Sequence, residues 1–454
     1  MILQPKDKEQ YQIPFKKRKH LNFDAMITRI SDSVKQSYTT NVGNAYLQHD
    51  IVMGALACMF FQSPSLLQFQ RHLNDSQNRN NLFTMFGMTD IPQESQLRER
   101  LDDMDSEIYR PIFNGLFEQV RRDKALEQFK IPLTASGLYY VPIDGTTYHS
   151  SKKINCNCCL TQTFKNGTTT YKHSVLQGAI VRPGIAQVIP LMPEAIKNTD
   201  GQIKQDCEQN AAKRFLQQLK KDHPRLPLLI GGDDLFSRTP IFNMLKEHNM
   251  HGIFTCKESS HTYLFDRINT LCEQPWLIKK ETKGIKKIKT IQHCYRWYHQ
   301  VPLNAQSDAP LVNVIEYQSV DENDNIIFRN VWVTDLAVTK DNIELLVQVG
   351  RSRWKIENEC FNTLKNQGYQ IEHNFGHGKK NLSFNMYLSV LLAFFMHQIL
   401  ELTDTAYQAC REKFGSKKQL WDTIRTAINL FVFPQWYWMM DFIHNADGGK
   451  FKIS

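Results

Sequence analysis

RLPLLIGGDDLFSRTPIFNMLKEHNMHGIFTC, residues 225–256, is the stretch whose reading decides the fold. Its first part, RLPLLIGG, is a short apolar run that stops at Asp233-Asp234, as a strand buried on both faces does. SRTPIFNMLKEHN (237–249) reads as a helix, and HGIFTC (251–256) as a second strand. Upstream, GLYYVPI (137–143) is an apolar strand ending at Asp144. YKHSVLQGAIV (171–181) and AQVIPLM (186–192) form a hairpin about Arg182-Pro183-Gly184-Ile185. KQDCEQNAAKRFLQQLKKD (204–222) is the helix that leads into residue 225.

The order is therefore strand, strand, strand, helix, strand, helix, strand. A meander of three strands followed by two strands reached through helical crossovers is the order of a ribonuclease-H-like α/β core. Asp144 and Asp233 stand at strand ends, where chemistry collects in open α/β sheets.

On either side the pattern changes. Residues 21–130 read as helical, with Arg-rich faces in IPQESQLRERLDDMDSEIYRPIFNGLFEQVRRD (91–123) that suit a DNA-binding unit as well as an ordinary bundle. After the core, YRWYHQVPL, APLVNVIEYQSV and NIIFRNVWVTDL are strand-like and aromatic, a β-rich insertion. KDNIELLVQVGRSRWKIENECFNTLKNQ (340–367) returns to helix. The expected division is a helical region at 1–130, the first part of the core at 131–256, the insertion at 257–336, the rest of the core at 337–400 and a helical region at 401–454.

Composition bounds the function. Apolar residues make up 41% of 454, enough for a sizeable core, and 55 Lys plus Arg against 46 Asp plus Glu leave a net charge of +9. That excess suits an anionic partner without demanding one. PFKKRKH (14–20) and KKETKGIKKIK (279–289) concentrate it, and each also fits a solvated loop. Ten cysteines, spread along a chain that starts with the polar MILQPKDKEQ, lead us to expect a reducing, cytoplasmic compartment. MYLSVLLAFFMHQILEL (386–402) approaches membrane-span length but carries His397 and Gln398, so a buried core helix and no membrane partner are expected.

The helix GRSRWKIENECFNTLKNQGY (350–369) sets Ile356, Cys360, Phe361 and Leu364 at helical spacing and surrounds Glu357 and Glu359 with Arg351, Arg353, Lys355 and Lys365. The plain reading is an amphipathic helix with an Arg353–Glu357 pair four residues apart. Together with the strand-end acids, however, Asp144, Asp233 and Glu357 make an all-oxygen site for two Mg²⁺ (or Mn²⁺) ions. Two such ions about 3.5–4 Å apart activate a water or hydroxyl and stabilise the leaving oxygen of a phosphodiester. Arg353 and Lys365 would then grip the DNA backbone, as would Lys379 and Lys380 in the turn GHGKK (376–380), which also reads as a linker.

Two choices stay open. Asp233 is preferred to Asp234 because it comes first after the strand and leaves Leu235 and Phe236 to dock the next helix. Glu357 is preferred to Glu359 because it shares an edge with Phe361 and Leu364, whereas Glu359 falls among Lys355, Asn362 and Asn366 on a more solvated face. Separately, Cys156-x-x-Cys159 with His173 and Cys207 offers a zinc site; reduced thiols on a loop are the alternative.

VPIDGTTY (141–148), GGDDLFSRTPIFNML (231–245), RSRWKIENECFNTLKNQGY (351–369) and IEHNFGHGKKN (371–381) follow one another in an order that resembles the DDE transposases of the insertion-sequence-4 group, over residues 90–400. The resemblance implies a ribonuclease-H-like catalytic domain with a β-rich insertion before the last acidic residue. It implies cleavage that frees a 3′-OH at the element ends and strand transfer of that hydroxyl into target DNA. The partner would be double-stranded DNA bound by a homodimer, associated with the nucleoid. Trp297 would stack on a flipped base or pack in the core of its strand, while Trp332 is expected in the core. Two positions depart from the group: its Tyr three residues before the Arg is Gly350 here, and its Lys seven residues after the Glu is Leu364, with Lys365 one further on. Those departures keep two rivals in play, an inactivated or domesticated DNA-binding protein and a ribonuclease-H-like nuclease without strand transfer.

Overall fold

The computed structural model describes residues 18–37, 42–63, 65–74, 80–198, 206–271, 274–283 and 289–445 of the chain. Parts of both basic clusters, residues 14–17 and 284–288, lie outside the described residues.

Helices come first: α1 (Phe23–Gln36), α2 (Val42–Phe60), α3 (Leu66–Asn74), α4 (Asn81–Phe86), α5 (Glu94–Asp103) and α6 (Tyr109–Arg122). The logic of α1 is legible residue by residue. Asn22 caps it by accepting from the Ala25 N–H, Asp24 stands in the first turn and Lys35 in the last, each the favourable sign for the helix dipole. Phe23, Met26, Ile27, Ile30 and Val34 bury one face.

The sheet strands and their connections follow as β1 (Tyr139–Ser151), β2 (Leu160–Thr163), β3 (Thr169–Ile180), β4 (Ile189–Pro190), β5 (Glu194–Ile196), α7 (Glu208–Asp222), β6 (Leu228–Gly232), α8 (Thr239–Glu247) and β7 (His251–Thr255). Then come α9 (Thr262–Thr270), β8 (Leu277–Lys283), β9 (Lys289–Pro302), β10 (Leu311–Val320) and β11 (Ile326–Thr334). The strands form one mixed sheet in the order β2-β3-β1-β6-β7-β11-β10-β9-β8, with β4 and β5 paired to β3. β3 runs antiparallel to β1, whereas β6 is parallel to β1 and β7 parallel to β6. All five residues of β6 are buried, as a parallel strand covered on both faces requires. The β-rich stretch is not set apart from the core: β11 pairs antiparallel with β7, so β8–β11 prolong the same sheet.

Two local expectations need correction. β1 does not end at Asp144 but runs on to Ser151; Tyr139–Pro142 pair with β6, and from Ile143 onward the strand stays extended as the antiparallel partner of β3. Nor is 340–367 a single α-helix. α10 (Ile343–Arg351) stops where the Ser352 hydroxyl bonds back to the Gln348 carbonyl, a contact that bends helices. After a turn, Ile356–Asn362 form a π-helical segment that passes into α11 (Thr363–Asn366). Such widened turns are frequent at functional sites.

The chain ends in α12 (Leu382–Thr403), α13 (Thr405–Lys413), α14 (Lys417–Leu430) and α15 (Trp436–Asn445). By length and composition α12 is apolar enough to cross a membrane, and 89% of its apolar window is buried inside the protein. It lies against α2 and α5. Several of its polar residues find partners on neighbouring segments. The Asn385 amide donates to the Leu101 and Met104 carbonyls, Ser389 bonds the Tyr109 hydroxyl, and His397 bonds the Tyr369 hydroxyl. α12 thereby joins the helical N-terminal part to the end of the sheet.

Candidate functional site

Pro142 on β1 is level with Gly231 on β6 in parallel register. Asp144 and Asp233 each stand two residues beyond that pair, at the same end of neighbouring strands. The Asp144 carboxylate accepts from the Gly145 N–H at 2.9 Å, and Asp233 accepts from the Leu235 N–H at 2.9 Å.

Glu357, on the π-helical segment, approaches from the third side. Its carboxylate pairs with Arg353 at 2.7 Å, and the same Arg353 nitrogen lies 3.4 Å from Asp144. One guanidinium thus joins the two acids. Burial pushes the Asp144 carboxyl up to about 7; Arg353 opposes the shift, and the charges of Glu357 and Asp233 add to it. Asp144 therefore feels the other two carboxylates, although the three do not all come within 4.8 Å of each other. Glu357 is also more open than its spacing implied: 47% of its side chain is exposed, while Phe361 and Leu364 are buried.

The alternative acids, Asp234 and Glu359, have different surroundings. Asp234 is committed to local structure: it accepts from the Lys257 N–H and the Ser260 hydroxyl and pairs with Arg238 and His261. Glu359 is half-buried and lines a cavity with Arg411 and Lys417, which neither Asp144 nor Asp233 touches.

A fourth carboxylate escaped sequence reasoning. Glu208, in the first turn of α7, is held up by burial and by the charge of Asp233. A Cβ on Gly145 would sit 2.1 Å from its Oε1, so the missing side chain beside Asp144 is what lets Glu208 come close. No sequence signal marked it, because an acid at a helix N-terminus is an ordinary dipole partner.

The basic and aromatic candidates are placed as follows. Lys365 pairs with Glu372 at 2.8 Å and faces a cavity it shares with Lys417, Lys418 and Arg425, not the carboxylates. At the end of GHGKK and just beyond it, the N–H groups of Lys379, Lys380, Asn381 and Leu382 all donate to Asp102. Against partial desolvation, those four donors hold its carboxyl below the usual range. The Lys380 ammonium pairs with Asp103 at 2.8 Å, on the surface. Trp297 is half-buried in β9, its indole N–H donating to His299. Trp332 is buried in β11, and its indole explains Gly350: a Cβ there would lie 2.7 Å from the Trp332 Nε1.

Cys156, Cys159 and His173 do come together, but Cys207 does not join them. It stands at the N-cap of α7, and the fourth member of the cluster is His377. Sequence spacing missed it because it enters 204 residues after His173, through the loop before α12.

No protein-family model matches the chain, and no curated protein matches it. Among solved structures it is similar to the piggyBac transposase in its cryo-EM synaptic complex with hairpin DNA, at 11% identity and a TM-score of 0.37, over 96% of this chain and 81% of that one.

Proposed function

We propose that the chain is a DNA transposase with a ribonuclease-H-like catalytic core, and that Asp144, Asp233 and Glu357 carry its metal-dependent phosphoryl transfer on double-stranded DNA. The observation that carries this reading is the convergence of acids. Asp144 and Asp233 stand level on neighbouring parallel strands, with Glu357 tied to Asp144 through Arg353. The strand order supports it too: β3 antiparallel to β1, β4 and β5 antiparallel to β3, then β6 and β7 parallel to β1.

The donor set fits Mg²⁺ or Mn²⁺. It is all carboxylate, and Asp144, raised first by burial and then by the charges of Glu357 and Asp233, is a group whose ionised form a hard cation would favour. When bound, two such ions supply the nucleophile at neutral pH and stabilise the leaving oxygen. The protein's part is to fix the geometry. β1 and β6 hold two ligands at a constant spacing, and the 356–362 segment brings the third. Arg353 neutralises the acids until a metal does, and is then released to a DNA phosphate. Lys379 and Lys380 are exposed and suit further backbone contacts.

The test is cleavage of labelled DNA carrying the sequences that flank the gene, with Mg²⁺ present. The parent protein should cut at the element ends, and Asp144→Asn, Asp233→Asn and Glu357→Gln should each abolish cutting while still binding the DNA. Binding rests mainly on Lys and Arg against phosphates. Undiminished cleavage in these variants, or joint loss of binding and cleavage, would remove the carboxylates from the chemistry.

A further inference from the structure

We infer that Cys156, Cys159, His173 and His377 form a structural zinc site that clasps the loop before α12 onto the sheet. The ligand atoms already describe the edges of a tetrahedron. The two sulfurs are 3.7 Å apart. Three of the four sulfur–nitrogen edges are 3.5 Å from Cys156 to His173, 3.4 Å from Cys159 to His173 and 3.5 Å from Cys159 to His377, and the fourth, from Cys156 to His377, is within 4.8 Å. The two Nε2 atoms are 3.1 Å apart. With Zn–S near 2.3 Å and Zn–N near 2.0–2.1 Å, a tetrahedral ion requires edges of about 3.8, 3.6 and 3.3 Å for S···S, S···N and N···N.

The surroundings agree with that chemistry. Cys159, His173 and His377 are buried. The His377 Nδ1 donates to the Gly378 carbonyl at 2.9 Å, which leaves Nε2 as the bare nitrogen aimed into the cluster, the outer-shell arrangement of zinc-bound histidines. Binding would displace the two thiol protons to solvent and leave two thiolates and two neutral imidazoles on the ion.

The site links three segments. Cys156 and Cys159 lie between β1 and β2, His173 is on β3, and His377 belongs to the loop that hands its amides to Asp102 of α5. That loop begins shortly after the Glu357 segment. Zinc on one side and Asp102 on the other would bolt it between the sheet and the N-terminal helices. The inference does not depend on transposase chemistry, because the ligands are separate from the carboxylates.

Elemental analysis of the purified full chain tests it. One zinc per chain is expected, unchanged in Asp144→Asn and in Cys207→Ser, and lost from His377→Ala and Cys156→Ser. Should those variants fail to fold, the parent protein is stripped with chelator and given Co²⁺. A tetrahedral ligand-field spectrum with a thiolate-to-cobalt charge-transfer band is expected. A zinc-free parent whose stripped form gives no such band overturns the site. Full zinc in a folded His377→Ala, or zinc lost from Cys207→Ser, overturns the ligand set.

Discussion

Arg353 lies 3.4 Å from Asp144 although 209 residues separate them, and the same nitrogen also holds Glu357 at 2.7 Å. A helical Arg–Glu pair four residues apart explains only half of that arrangement. An exposed pair of this kind contributes about 0.3–0.5 kcal/mol. Here the guanidinium is half-buried and is the cation that opposes the upward shift of Asp144. The charge in the helix is therefore shared across the fold, between the middle of β1 and the segment that follows α10.

Asp144 gives the first prediction, a pH dependence measured in EDTA. Its folded carboxyl titrates at about 7, against an ordinary value of 3.8. Between those two values the folded state keeps a proton that the unfolded state releases. The stability that proton provides is fully present below the ordinary value and is lost as pH rises through about 7. Asp144→Asn has no such proton. The two proteins should match at pH ~4, and the variant should gain on the parent up to pH ~7–8, by at most roughly 4 kcal/mol at 1.36 kcal/mol per pKa unit. Denaturant melts across pH check it. A difference that is the same at both ends would mean that burial of Asp144 carries no such cost.

How much of this was readable beforehand follows from the physics of each element. β6 and β7 were legible because a strand covered on both faces reads as an unbroken apolar run. The continuation of β1 was not: beyond Asp144 the sequence GTTYHSS turns polar as the strand leaves the parallel part of the sheet and pairs with β3. The π-helical turn left no trace either, since Ile356, Cys360 and Phe361 are buried as an α-helical face would bury them. Glu208 and His377 reach their clusters only through tertiary packing. In one case a glycine makes room, and in the other the loop before α12 brings in a residue 204 positions beyond His173.

Glu208→Gln is the second variant. The amide keeps the size of the side chain that fits against Gly145 and removes its charge from beside Asp233. If that charge helps attract the ions, half-maximal cleavage should need several-fold more Mg²⁺, with binding of end DNA unchanged. A Mg²⁺ requirement identical to the parent's would leave Glu208 a packing residue.

Arg353 and Lys365 should behave differently. With Ca²⁺ present the carboxylates have another cation, and Arg353 is available to phosphate. Arg353→Ala should then flatten the salt dependence of end binding by about one unit of slope, and should not do so in EDTA. Lys365→Ala should leave the slope unchanged in both conditions, since Lys365 pairs with Glu372 and faces another cavity. Fluorescence-anisotropy titrations across a salt series read both. A slope unaffected by Arg353→Ala in Ca²⁺ would make Arg353 a fixed counter-ion only.

Gly350 carries the last prediction. The resembling group has a Tyr at this position, and restoring it is the obvious repair of the departure. The structure forbids it, because even a methyl group would meet the Trp332 indole at 2.7–3.0 Å, and Trp332 is 1% exposed with little room to retreat. Gly350→Ala should therefore cost about 1–3 kcal/mol, the usual penalty for overpacking. That outweighs the gain of about 1 kcal/mol that alanine normally brings to a helix interior. Gly350→Tyr should not fold on its own. Combined with Trp332→Ala it should fold again, because the ring then enters the space the indole leaves. Denaturant melts of Gly350→Ala, Gly350→Tyr and the Gly350→Tyr/Trp332→Ala double variant read both outcomes. A Gly350→Ala protein as stable as the parent would show that the indole moves aside freely, and the departure at this position would then have no packing cause.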